Sequence, residues 1–140
     1  MVSQIDEQLS GLLPGLLRVR VTEALPESVT AELLVRPAVC TTGGILHGGT
    51  IMAFADTLGG VATALNLKPG QLTTTIESKT NFFAAARVEQ VIQAACTPLH
   101  RGRRTMVWQT RIVLPDGRLV AQVIQTQIVI EAPRPATTDV

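Results

Sequence analysis

Thr50 to Leu65 reads T-I-M-A-F-A-D-T-L-G-G-V-A-T-A-L and is opened by the tripeptide His47-Gly48-Gly49. The run has the length of a helix, is apolar all round and contains one ionisable residue, Asp56. A helix without a polar face must be enclosed by other elements, so this stretch predicts a central helix with a sheet around it. A carboxylate among Phe54, Leu58, Val61 and Ala62 is costly to bury unless something pairs with it or uses it. Asp56 is therefore the first candidate for a working residue. A membrane span is not expected, because the stretch from His47 to Leu67 holds Asp56 and four glycines and lacks flanking basic clusters.

The flanking sequence supplies the wrapping. Ile5, Leu9, Leu12 and Leu13 follow helical spacing behind Ser3, and Pro14-Gly15 is expected to end that short segment, giving an N-terminal helical unit over 1–15. Leu16 to Ala24 and Val29 to Val35 read as strands joined through Leu25-Pro26-Glu27-Ser28, with Pro37 closing the second. A loop from Ala38 to Leu46 leads into the helix, which Lys68-Pro69-Gly70 stops near Asn66. Four strand patterns follow: Leu72 to Phe83, Val88 to Pro98, Arg104 to Leu114 and, after Pro115-Asp116-Gly117, Leu119 to Ile130. Residues 131–140 read as a flexible tail. The order predicts an α+β domain over 16–130, an antiparallel β-sheet wrapped around a long central α-helix. One sheet covers only part of such a helix, so a homodimer is expected.

Composition narrows the function. At 140 residues and 46% apolar content, a single core suffices. A net charge of +1 and 3% aromatic residues offer neither the basic face nor the stacking surface of a nucleic-acid binder. The first residues, Met1 to Glu7, lack the basic start and apolar core of a secretory leader, so a cytoplasmic location is expected. Cys40 and Cys96 stand far apart with no metal-ligand spacing, which predicts reduced thiols and no metal site.

Gly48 and Gly49 fall at a helix start, where free N–H groups and the helix dipole attract an oxyanion; they serve equally as the small residues of a tight turn. Asp56 lies eight residues after Gly48, about 12 Å along one helix axis at ~1.5 Å per residue, too far for both to grip one carbonyl. Two helices side by side and antiparallel about a two-fold axis would bring Gly48 of one protomer to Asp56 of its partner. Otherwise Asp56 is bonded to a nearby hydroxyl such as Thr57, or exposed at a bend, and His47 is a satisfied loop histidine. Arg101, Gly102, Arg103 and Arg104 form a basic turn suited to phosphates, or a solvated hairpin tip. Of Phe82 and Phe83 only one can face inward if alternation holds, leaving the other for a substrate channel. Arg87 follows three alanines and is open to a phosphate or a surface role. Met106 and Trp108 share one strand face and read as core.

Gly44-Ile45-Leu46-His47-Gly48-Gly49, with Asp56 nine positions after the histidine, resembles the hotdog-fold acyl-CoA thioesterases, in particular their PaaI-like branch. Thr75-Ile76-Glu77, Phe82-Phe83-Ala84-Ala85-Ala86, Arg101-Gly102-Arg103-Arg104 and Asp116-Gly117-Arg118-Leu119-Val120-Ala121 resemble later strands of that family in the same order. The resemblance implies a hotdog fold, a homodimer and a dimer of dimers. It implies that the Gly48 N–H polarises a thioester carbonyl while Asp56 of the facing protomer is nucleophile or base. His47 would orient the thioester or support its loop, and Thr75 would stand beside the acid. Gly49, Thr41, Phe82, Phe83, Arg87 and the arginine turn would line the acyl-CoA site. Related sequences often carry Asn or Gln where this chain has Thr41, so a hydroxyl would hold water there differently. Coenzyme A enters only as part of the substrate, with no cofactor implied. Two other functions stand beside hydrolysis: an acyl thioester dehydratase or hydratase using His47 and Asp56, and an acyl-CoA-binding or sensing module without turnover.

Overall fold

Alternating side chains build one face of a sheet. In β2 (Ser28–Leu34) Val29, Ala31 and Leu33 turn inward, and in β6 (Val91–Arg101) Ile92, Ala94 and Cys96 do the same. Met106, Trp108, Thr110 and Ile112 follow in β7 (Thr105–Val113), and Val123, Gln125 and Gln127 in β8 (Leu119–Glu131). With β1 (Arg20–Leu25) and β5 (Gln71–Phe82) they form an antiparallel six-stranded sheet of order β1-β2-β6-β7-β8-β5. The computed structural model describes residues 1–134. Of the expected tail, Glu131 belongs to β8, while 135–140 lie outside the described residues.

The inner face closes on α3 (Gly48–Ala64), whose Phe54, Leu58 and Ala62 recur every four residues and are fully buried. Burying an aromatic or leucine side chain of this kind contributes roughly 1.5–3 kcal/mol, so the helix is held chiefly by this stripe. Trp108 is wholly inside, and its indole N–H donates to Thr63 Oγ1 at 2.8 Å, linking β7 to the end of α3. This is the expected α+β hotdog layout, with the sheet curved around one long helix. The sheet leaves the far side of α3 open, however: Met52 stays 39% exposed.

α1 (Val2–Leu9) and α2 (Leu13–Leu17) flank that open side. Pro14 does not end the first helical segment as expected; it stands in the first turn of α2, where its missing N–H costs nothing. Leu16 and Leu17 are therefore helical and β1 begins at Arg20, after Arg18 turns left-handed at φ 60°. The strand expected from Val88 likewise begins at Val91, because Glu89 adopts φ 74° and its N–H donates to Val35 O at 2.8 Å. A short hairpin, β3 (Cys40–Thr41) with β4 (Ile45–Leu46), delivers the chain to α3.

Candidate active site

The start of α3 is pinned by three hydrogen bonds to two carbonyls. His47 N donates to Val39 O at 3.1 Å, the buried Thr50 hydroxyl donates to the same carbonyl at 3.0 Å, and Leu46 N donates to Ala86 O at 2.8 Å. His47 is the helix cap: its Nδ1 accepts from Gly49 N at 2.7 Å, which leaves the ring proton on Nε2. A Cβ on residue 49 would stand 2.9 Å from that Nδ1, so this cap requires glycine. Thr50 N and Ile51 N take His47 O, whereas the Gly48 N–H has no partner among the described residues. It is a free donor at the positive end of a 17-residue helix.

Phe82 lies against Gly48, with ring carbons 3.3 Å from where a Cβ would be. Phe82 and Phe83, 53% and 60% exposed, both line a groove of 410 Å³ that includes Gly48 and Ile51. The expectation that one of them turns into the core fails because β5 ends at Phe82 and Phe83 escapes its alternation. Arg87 pairs through its backbone with Ile45 beside this groove, its side chain exposed. Thr41, on the adjoining hairpin, is exposed, and its hydroxyl has no hydrogen bond among the described residues.

Within one protomer, Asp56 departs from the burial argument made from its neighbours in sequence. Phe54, Leu58 and Ala62 face the sheet, but residue 56 is two steps of about 100° round the helix from Phe54, and the carboxylate is exposed on the open side. Thr57 is not its partner, since that hydroxyl donates to Ala53 O at 2.8 Å. Thr75 is: its hydroxyl donates to Asp56 Oδ1 at 2.6 Å. Thr75 sits where β5 bulges at Ile76, an interruption in register that re-aims side chains at the strand edge. Gln125 Nε2 stands 3.3 Å from the same Oδ1, and Gln127 Nε2 donates to Thr75 Oγ1 at 2.6 Å. Oδ2 has no partner among the described residues. Neither glutamine stands out in the sequence, because the same strand also carries Gln122 and Thr126 and only the fold turns Gln125 and Gln127 inward.

The arginine turn lies at the other end. Arg101 closes β6 and its Nη1 reaches Pro26 O at 3.4 Å and Asn66 Oδ1 at 3.5 Å, just past the C-terminus of α3. Gly102, Arg103 and Arg104 carry the chain to β7, both arginines exposed. One protomer thus holds three separate groups along α3: the Gly48 donor, Asp56 about 12 Å on, and the arginines past the helix end, about 25 Å from its start. A cavity of 660 Å³ lies between α1, α2 and the open side of α3, with Ile5, Leu9, Val61 and Leu65 in its wall and Asp56 and Thr57 at its edge.

Residues 43–121, from the hairpin before α3 to the head of β8, match the Thioesterase superfamily, and they include Gly48, Asp56 and Thr75. The chain belongs to the thioesterase superfamily. It is 32% identical over 109 residues to 1,4-dihydroxy-2-naphthoyl-CoA hydrolase of Escherichia coli K12, covering 78% of this chain and 79% of that relative. Its fold resembles a mutant of thioesterase PA1618 from Pseudomonas aeruginosa, with a TM-score of 0.89, 26% identity and 94% of each chain covered. Thioesterase HI1161 of Haemophilus influenzae superposes with a TM-score of 0.91 over 97% of this chain and 94% of that one; at 24% identity it bears on the fold alone. Membership in the thioesterase superfamily makes this a hydrolase scaffold, and the free Gly48 donor and Asp56, held through one oxygen by Thr75 and Gln125, are the groups on it chemically able to act on a carbonyl.

Proposed function

We propose that this protein hydrolyses acyl-CoA thioesters in the cytoplasm as a PaaI-like homodimer, the dimers pairing further into a tetramer. The observation that carries the reading is Asp56: the one charged side chain in α3, exposed, held at Oδ1 and free at Oδ2. In the proposed site the thioester carbonyl oxygen lies against the Gly48 N–H of one protomer, and Asp56 of the other faces its carbon. Asp56 takes the proton of an attacking water, whose oxygen bonds to the carbonyl carbon; the resulting oxyanion is stabilised by the amide and the helix dipole. Collapse breaks the C–S bond, and the thiolate leaves and regains a proton. Direct attack by the carboxylate gives instead a mixed anhydride that water then opens, with the same products.

The apolar cavity beside Asp56 suits the acyl group. The name of the E. coli relative makes aromatic acyl groups the first to test. The arginine turn suits the phosphates of coenzyme A, brought near the partner's Gly48 if the two α3 helices run antiparallel. His47 spends its Nδ1 on the helix cap and stands nine residues from Asp56 in its own chain, which weighs against a paired acid–base role in dehydration. Thiol release from short-chain, long-chain and aryl acyl-CoAs tests the reading. Wild-type protein should release thiol, and a folded Asp56→Asn protein should lose at least about 100-fold of that rate, the lower end of what one general base supplies. Wild-type turnover by Asp56→Asn would reject Asp56, and tight binding without thiol release from any substrate would favour the binding module.

A further inference from the structure

We propose that Gln125 is a positioning residue for Asp56: its amide, with the Gln127–Thr75 pair, fixes Oδ1 so that Oδ2 alone is presented to the substrate. This rests on the reading of Asp56 as the reacting acid.

Gln125 and Gln127 are each 1% exposed and stand on the inner face of β8. The Gln127 branch has a fixed direction. Thr73 Oγ1 donates to Gln127 Oε1 at 2.9 Å, which orients that amide. Gln127 Nε2 then donates to Thr75 Oγ1, and the single Thr75 hydroxyl proton is committed to Asp56 Oδ1. Gln125 adds a second donor to the same oxygen. Its other end shows what this arrangement sacrifices: Gln125 Oε1 is buried with no partner. Turning the amide over would set a carbonyl oxygen against a carboxylate oxygen, so the orphaned acceptor follows from aiming the N–H₂ at Asp56. An apolar side chain of similar volume would fill the space without that loss. Room has also been made for it: a Cβ on Gly59 would stand 2.3 Å from Gln125 Cδ. An amide buried at such cost, with a glycine opposite and its donor on the acid, is placed to orient the carboxylate within the narrow angular range that attack on a carbonyl demands.

Few other charges share this neighbourhood. α3 has none besides Asp56. On β5, Glu77 and Lys79 pair in register with Thr126 and Ile124, which alternate with the inward glutamines and so face outward. Glu131 ends β8, and α1 carries Glu7 and Asp6, the latter accepting from Val21 N at 3.2 Å.

The test combines kinetics with titration. Gln125→Met keeps the volume and removes the donor; kcat should fall about tenfold with KM within about threefold, the signature of a misaligned reacting group. Gln125→Glu sets a second carboxylate against Asp56, and because two such groups resist ionising together, the acid limb of the kcat profile should move up by about one pH unit or more. A purely packing role would lower Tm in Gln125→Met and leave its kcat at the wild-type value. In the wild-type protein, which needs no substitution to fold, the Gln125 side-chain amide protons should titrate by NMR with the acid limb of kcat, and this titration should vanish in Asp56→Asn. If Asp56→Asn is inactive while Gln125→Met and Gln125→Glu keep wild-type kcat and acid limb, or if the Gln125 amide is indifferent to pH, the positioning role is refuted and Asp56 stands. If Asp56→Asn retains turnover, the reading of Asp56 fails and the positioning role falls with it.

Discussion

Replacing Gly59 by alanine isolates the contact between helix and last strand that the candidate site depends on. The added methyl would lie 2.3 Å from Gln125 Cδ and Nε2 and 2.7 Å from Oε1, all in a side chain with 1% exposure. Intrinsic helix propensity favours alanine over glycine by about 1 kcal/mol. Against this, overpacking a full core costs about 1–3 kcal/mol. Displacing the amide also forfeits the 3.3 Å bond to Asp56, worth about 1.5 kcal/mol at the low end for a bond to a charged group. The net expectation is a loss of about 1.5–3.5 kcal/mol, read as a fall in Tm of the order of 10 °C for a chain of this size. Thermal unfolding should be followed at one fixed protomer concentration, because association shifts Tm. A cycle with Gln125→Ala sharpens the measurement: truncation clears the space, so Gly59→Ala should cost at least 1 kcal/mol less in that background, as expected of contacting residues. Gly59→Ala at wild-type stability, or strict additivity with Gln125→Ala, would refute the close approach.

Other perturbations have equally definite outcomes. Thr63→Val leaves the buried Trp108 N–H without an acceptor and should destabilise the protein by about 1–3 kcal/mol, with a changed emission from this sole tryptophan; an unchanged Tm and spectrum would remove the bond from the account. Burial pushes the Cys96 thiol up to about 11, against the weaker opposing effect of Thr110. The folded state therefore holds the Cys96 proton longer than the unfolded chain, and stability present below pH 9.0 should be lost as pH rises towards 11, a slope that Cys96→Ala should reduce. A thiol reagent should label half-buried Cys40 in the native protein and reach Cys96 only on unfolding; equal native rates would contradict the burial. Arg103→Ala should raise KM for acyl-CoA about tenfold at unchanged kcat and have no effect on a truncated thioester lacking the nucleotide; equal effects on both substrates would take the turn away from the phosphates.

The central helix, the sheet strands and the tripeptide leading to Asp56 were legible because apolar periodicity and Gly/Pro punctuation act locally. Asp56's exposure was not, since an apolar run gives no hint of which side of a helix the sheet takes; only the spacing of Phe54, Leu58 and Ala62 marks it afterwards. Pro14 reads as a stop or as a first-turn residue with equal ease, and packing on α3 decides for the latter. Glu89 conceals its left-handed turn because nothing local forces a glutamate into that conformation. Gln125 and Gln127 escaped notice because their meaning comes from α3 and β5, about 50 or more residues away in sequence. The arginine turn was recognisable as a basic hairpin, while its distance from Gly48 follows from the antiparallel topology alone.

Mixing two inactive proteins tests the shared site most directly. Gly48→Pro removes the proposed N–H donor at a helix position that tolerates proline, and Asp56→Asn removes the acid. If each site draws Gly48 from one protomer and Asp56 from the other, every mixed dimer rebuilds one intact site, and random exchange should restore about a quarter of wild-type thiol release. No recovery, with heterodimers present in the mixture, would contradict the account.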